Sequence, residues 1–417
     1  MVVGTVIGSG IYVLPATVAQ FGPNLLFAFA VVIVGTICLA LAMARLAATI
    51  PGGPYSYIAV AFGDRAAFIT MWSYLVSQWT GVAAVAIAAA GAIGFVLPAV
   101  ASGWPLALLA IAAIVILTLV NLTGARSAGR VQVLATLIKI VPLLLVVLLV
   151  LMRLTGGEPL EPLAAVPISV GGIVAAAALM LFAFTGFESA AVSANVTQDA
   201  ATVVPRATIN GTLFVAVIYL AATLAVLWLL PSAVATASKA PFADAIAPSL
   251  GPIAGGLIAI IAAISALGAG NALILLSVEV ARAIANAGDL PPAFARTNRA
   301  GVATGSLLAA AAVAILLVIA SVSDSFVEVF SFIALISAVA ALVLYLFCAA
   351  AALKLKLERP LLSVLAIAYA LAMFVGAGLE ATAWGLALAL AGLPLRWLSR
   401  RSNRAAARAD GPGVPAA

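Results

Sequence analysis

Apolar runs of helix length recur along this chain and constrain its fold more than any other feature. They fall near residues 1–21, 25–48, 67–97, 104–122, 131–152, 170–195, 207–230, 253–285, 303–322, 326–353, 360–376 and 379–398. A run of about 20 apolar residues spans the hydrocarbon layer as a helix. The runs do not alternate in polarity, which excludes an outer-membrane barrel. A chain that is 66% hydrophobic and only 8% charged has no soluble counterpart either. The expected fold is therefore an all-α polytopic membrane protein of twelve transmembrane helices. No cleavable leader precedes the first run, which serves as its own insertion signal.

Composition also removes whole classes of chemistry. The chain has no histidine, and its two cysteines, Cys38 and Cys348, sit in apolar runs as small hydrophobes. No metal cluster, nucleotide-binding loop or catalytic constellation appears, so the expectation is no cofactor, no metal and no enzymatic activity. Asn121-Leu122-Thr123 matches a glycosylation sequon but falls at a helix end facing the cytoplasm, and is discounted.

Basic residues set the orientation. With the N-terminus inside, sixteen of the nineteen Lys and Arg residues fall on the cytoplasmic side, from Arg45 and Arg65 through Arg296, Arg299 and Lys354 to Arg408. Arg153 and Lys239 fall outside, and Lys139 lies within the fifth run. This is the positive-inside bias. It places a multi-pass chain in the inner (cytoplasmic) membrane with both termini cytoplasmic. The net charge of +6 then reports topology and gives no reason to expect nucleic acid. The arginine-rich end, residues 399–417, reads as a disordered cytoplasmic tail in contact with anionic membrane lipid. Tyr12, Tyr55, Tyr57 and the tryptophans read mostly as interface anchors.

Two runs are interrupted. The first reads T-V-I-G-S-G-I-Y-V-L-P over Thr5–Pro15. Glycines flanking a serine weaken a helix and admit a ligand to the backbone. If the helix opens, the N–H groups of Gly8, Ser9 and Gly10 form a helix N-terminus that suits a carboxylate. Alone, this triplet reads as a small-residue packing surface. A second interruption reverses that reading: F-A-F-T-G-F-E-S-A-A-V-S over Phe182–Ser193, with Thr185, Gly186 and Glu188 at its centre. Glu188 and Lys139 are ionisable groups inside the membrane, which by default mark function. Interrupted helices at matching places in two halves point to an inverted-repeat transporter with its site at the midplane. Only seven residues precede Gly8, so the expectation is that a cytosolic lead lies upstream.

The motifs G-S-G-I-Y-V-L-P at 8–15, P-G-G-P-Y-S-Y at 51–57, G-F-E-S at 186–189, V-P-R-A at 204–207 and D-L-P-P-A-F-A-R-T-N at 289–298 carry a resemblance. In that order they resemble the amino acid–polyamine–organocation (APC) superfamily, and within it the basic amino acid/polyamine antiporter branch, which includes the arginine/agmatine antiporters. The resemblance implies alternating access and a five-plus-five inverted repeat (LeuT-type) with two accessory helices. The units are then 1–153 and 170–353 as the repeats and 359–398 as the accessory pair. It also implies a substrate site between segments 1, 3, 6, 8 and 10. Ser9 and Gly10 match the positions that receive the substrate carboxylate. The carbonyls around Val6 and Ile7, and those near Phe182 and Thr185, match the cradle for the α-ammonium. Phe182 stands where the arginine/agmatine antiporters have a gating tryptophan.

Departures from that pattern bear on specificity and coupling. Where arginine exchangers carry an asparagine and a stacking tryptophan, this chain has Val82 and Leu273. A buried guanidinium without those partners is costly. Segment 3 offers Ser77, Gln78, Trp79 and Thr80 and no acid, so the pocket is expected to fit a neutral amino acid, with Gln78 as the polar contact. Lys139 is similar in position to a lysine of proton-coupled, sodium-independent members of the superfamily, where its ammonium replaces a sodium ion. Glu188 is the rival proton carrier. Pro142, one turn beyond Lys139, frees a carbonyl and bends the helix. Glu279 and Arg282 read as an ion pair near the inner end of segment 8.

The expected function is secondary active transport, proton-coupled uptake of a neutral amino acid. The alternatives are an amino acid/amine exchanger or a substrate sensor on a transporter fold. The expected partners are a small-molecule amino acid, protons and membrane lipid. A homodimer stays open.

Overall fold

A computed structural model of the protein describes residues 6–8, 10–123, 129–188, 200–322 and 325–409. Its helices are α1 (Gly10–Val18), α2 (Asn24–Thr49), α3 (Gly53–Phe62), α4 (Asp64–Val96), α5 (Gly103–Leu122), α6 (Gly129–Gly156), α7 (Val170–Phe184) and α8 (Ala200–Leu229). There follow α9 (Ser232–Ala237), α10 (Pro241–Leu250), α11 (Pro252–Asn286), α12 (Thr304–Ala320), α13 (Phe326–Lys354), α14 (Pro360–Gly376), α15 (Gly378–Leu390) and α16 (Gly392–Ala409). Among the described residues there is no strand, only an isolated bridge between Thr297 and Ala303. Eight helical stretches are long and apolar enough to cross a membrane, the last running through α15 into α16 as far as Arg401. Four shorter apolar helices accompany them: Gly10–Phe21, α7, α12 and α14.

The bundle is built around α4. Every residue from Thr70 to Ala92 is buried, as expected of a helix that is apolar on all sides. Two of its polar groups pair outward with neighbouring backbones. Ser73 donates to the Ala340 carbonyl at 2.8 Å, and Trp72 donates from its indole to the Leu388 carbonyl at 2.9 Å. In return, Ser337 on α13 donates to the Ser77 carbonyl at 2.8 Å. Such bonds matter in a bundle without a strong hydrophobic drive between helices. At the periphery, α5 and α6 expose Leu108, Ile116, Leu119, Leu144, Leu148 and Leu151, the apolar coat a membrane-spanning helix turns to lipid.

Several sequence expectations need correction. Helix α16 runs on to Ala409, so residues 399–409 are helical where a disordered tail was expected. Alanine and arginine are among the best helix formers, and the stretch from Arg404 to Ala409 consists of nothing else. Residues 410–417 lie outside the described residues. Tyr12 and Tyr57 are not interface anchors: they are 4% and 2% exposed. Asn121 is buried and bonds Asn271 at 2.7 Å, which leaves no room for a glycan. Cys38 and Cys348 are both buried and free, as expected.

Candidate functional site

The two interruptions face each other across a backbone contact. Helix α1 begins at Gly10, and a Cβ there would lie 2.6 Å from the Cα of Ala183 on α7. Only glycine allows that approach. Helix α7 ends at Phe184, where Thr185 turns out of the helix at φ −59° and ψ 147°. Gly186 follows at φ 109°, a conformation that favours glycine. The chain then folds back so that Glu188 caps its own break. One carboxylate oxygen accepts the Gly186 N–H at 2.9 Å, and the other accepts the Tyr74 hydroxyl at 2.8 Å.

Before the first break lie three successive backbone carbonyls, of Val6, Ile7 and Gly8. Each is taken by a side chain from a different helix. Tyr219 of α8 donates to Val6 at 2.8 Å, Lys139 of α6 to Ile7 at 3.2 Å, and Ser265 of α11 to Gly8 at 3.2 Å. In lipid an open backbone group costs several kcal/mol, so these donors are what make the break tolerable. Lys139 is 4% exposed, and its own carbonyl accepts the Tyr12 hydroxyl at 2.5 Å.

Between the breaks lies a cavity of about 370 Å³, within the range of small-molecule sites. Val6, Gly8 and Gly10 line it from the first segment, Ser77 and Gln78 from α4, and Phe182, Thr185, Gly186 and Glu188 from the second break. Leu273 and Glu279 of α11, with Ser337 and Tyr345 of α13, complete it. Phe182 is held edge-on to Phe330 at 5.8 Å. Gln78 is 3% exposed, and its amide oxygen has no hydrogen-bond partner. Glu279 sits at the exposed end, 3.9 Å from Arg282. Among the described lining residues are two carboxylates and no basic side chain. A larger cavity of about 640 Å³, between Ile87, Leu106, Val318 and Phe326, includes neither break. Its lysine, Lys239, donates to the Ala101 carbonyl.

The structure gathers most of the residues singled out from sequence, but not all. Val6, Gly8, Gly10, Ser77, Gln78, Phe182, Thr185, Gly186, Glu188 and Leu273 line one cavity. Ile7 does not, because its carbonyl turns toward Lys139. Val82 does not either: it is 1% exposed, and Leu273 closes in over Gly81, whose Cβ would sit 3.2 Å from the leucine methyl. Ser9 lies outside the described residues. Sequence reasoning missed Tyr74, Ser337, Tyr345 and Tyr219. Tyr74 had a signal, since it sits one turn before Gln78 on the same face of α4.

An amino acid permease family model matches residues 1–393. Among curated proteins, the chain is 28% identical over 332 residues to the cadaverine/lysine antiporter of Escherichia coli (strain K12), covering 78% of this chain and 74% of that protein. It is 27% identical over 300 residues to the putrescine transporter PotE of the same strain, covering 70% of this chain and 67% of that protein.

Proposed function

Because the chain belongs to the amino acid permease family, and is thus a membrane-embedded transporter of amino acids or amines and not an enzyme, we propose that it works as an amino acid/amine exchanger by alternating access. The observation that carries this reading is the polarity of the cavity between the breaks. Among the described residues its lining includes Glu188 and Glu279 but no basic side chain, and it presents the unpartnered oxygen of Gln78. A lining with carboxylates and no basic side chain suits an amine-bearing, cationic substrate. The antiporter and polyamine names of the relatives agree with it.

In this reading the substrate carboxylate, where there is one, meets the N-terminus of α1 at Ser9 and Gly10. Its α-ammonium lies toward the Val6 carbonyl and the end of α7. Phe182 covers it, and Gln78 with Glu188 receives the far end of the molecule. The architecture we propose has twelve spans, eight long and four short, with repeats at 1–153 and 170–353 related by inversion and an accessory pair at 359–398. Both termini are cytoplasmic and the membrane is the inner one. Lys139 couples transport to protons, because protonated it grips the Ile7 carbonyl and deprotonated it lets go. Glu188, bonded at both oxygens, is the rival carrier.

One observation favours a second reading, uptake of a neutral amino acid. Leu273 puts an aliphatic side chain on the cavity wall, where it gives a cation nothing to stack on. Counterflow in proteoliposomes separates the two. Labelled lysine driven by internal lysine, cadaverine or putrescine supports exchange. Counterflow of leucine or alanine with lysine inert moves the reading to neutral substrates, and binding without flux would make the protein a sensor.

A further inference from the structure

We propose that Tyr12 is a positioning residue, which sets the reach of the Lys139 ammonium toward the break in the first segment. This rests on the reading of Lys139 as the proton-coupling group. One residue of α6 touches the first segment on both sides of its interruption. The Lys139 ammonium holds Ile7 before the break at 3.2 Å, while the Lys139 carbonyl is held by Tyr12, beyond it, at 2.5 Å. The tyrosine is itself fixed: it is 4% exposed and packs edge-on to Phe242 of α10 at 5.3 Å.

The outside donor meets α6 beside a proline. Pro142 lies within the helix. It has no N–H to offer the carbonyl four residues back, and its ring wedges that turn apart. The carbonyl freed in this way is that of Ile138; the Lys139 carbonyl lies next to it in the same turn and accepts the Tyr12 hydroxyl. Losing the hydroxyl lets this turn of α6 slide relative to the break, which changes the distance from Nζ to Ile7.

That distance matters because little else holds the ammonium. Among the described residues Lys139 is in no ion pair. On α8 the Tyr219 hydroxyl is committed to Val6. From α11 it faces the backbone at Gly268, 3.5 Å from where a Cβ would stand, and Ser265 bonds Gly8. The charged group on α10 is Asp244, tied to Ser238. A lone carbonyl dipole thus decides how firmly the charged form is held, and a charge–dipole attraction weakens steeply with distance.

The test is Tyr12→Phe, which removes the hydroxyl and keeps the ring. Uptake of labelled lysine and of labelled leucine into proteoliposomes is measured with and without an inward proton gradient, across a pH series. The expected result is a displaced pH profile and stimulation by the gradient reduced about fivefold, the scale of one lost hydrogen bond. In a Lys139→Ala background the same substitution adds nothing. An unmoved pH profile in Tyr12→Phe overturns the proposal. So does an equal displacement of the pH profile in the Lys139→Ala background, which would make the tyrosine a packing residue. Full gradient response in Lys139→Ala alone, or none in the unaltered protein, overturns the coupling reading beneath it and is recognised without reference to Tyr12.

Discussion

Arg396 and Asp289, 107 residues apart in sequence, meet at 3.0 Å inside the protein. The aspartate side chain is 0% exposed and the arginine 8%. Arg400 reaches the same oxygen at 2.5 Å, and Tyr55 donates to the other at 2.6 Å. The guanidinium of Arg396 also lies 5.3 Å from the centre of the Phe68 ring. One carboxylate thereby ties α3, the connection after α11 and α16 into a single knot.

Removing Arg396 leaves the buried carboxylate with Arg400 and Tyr55, so the loss stays below the roughly 3–5 kcal/mol of a buried charge left with no partner. Arg396→Met should therefore lower the melting temperature of the detergent-solubilised protein by several degrees. Adding Asp289→Asn should restore part of the loss, because the charge is gone. A double variant no more stable than Arg396→Met would show that packing of α16, and not charge, is what matters.

A second prediction concerns the contact between the two breaks. Gly10→Ala places a methyl group 2.6 Å from the Cα of Ala183. Overpacking of this kind costs about 1–3 kcal/mol, and here it also pushes the two half-helices apart. Transport should fall by at least tenfold while expression persists. Gly256→Ala, whose methyl would meet only a Val96 methyl at 3.9 Å, should leave counterflow as it was.

Specificity should move at Leu273. Leu273→Trp supplies an aromatic face to a cationic group, an attraction of about 0.5–2 kcal/mol. It also narrows the cavity over Gly81. Competition binding should then shift toward arginine and agmatine over leucine by roughly two- to thirtyfold. An unchanged ranking would place the substrate side chain elsewhere.

The last prediction is a pH dependence of stability outside the membrane segments. Burial raises the Glu358 carboxyl above its usual value, and a hydrogen bond from Ser363 and the charge of Arg45 only partly offset this. The folded state therefore holds this proton at a pH where the unfolded chain has released it. Stability falls as pH rises through that window, and the penalty persists at neutral pH. Glu358→Gln should flatten the dependence and raise the melting temperature at pH 7 relative to pH 4, compared with the unaltered protein.

The sequence made both breaks legible because glycine beside a polar residue is costly in an apolar run unless it is used, and Gly10 and Gly186 announce it. It made the long helices legible because their apolar runs reach membrane-spanning length. The side chains that make the breaks tolerable were not legible. Tyr12, Tyr219 and Ser265 find their partners far along the chain, and in composition a buried tyrosine resembles one at the membrane surface. Val82 failed for a related reason: it occupies a plausible register on α4, but what closes the wall there is Leu273 settling over a glycine.

The three carbonyls of Val6, Ile7 and Gly8, held by three different helices, have a thermal consequence. Moving the first segment requires these bonds to break together, and each is worth about 4–6 kcal/mol of enthalpy in an apolar medium before any replacement forms. The conformational step therefore carries a large activation enthalpy, and turnover should climb steeply on warming. A carrier built this way idles in the cold with its cavity held in one state.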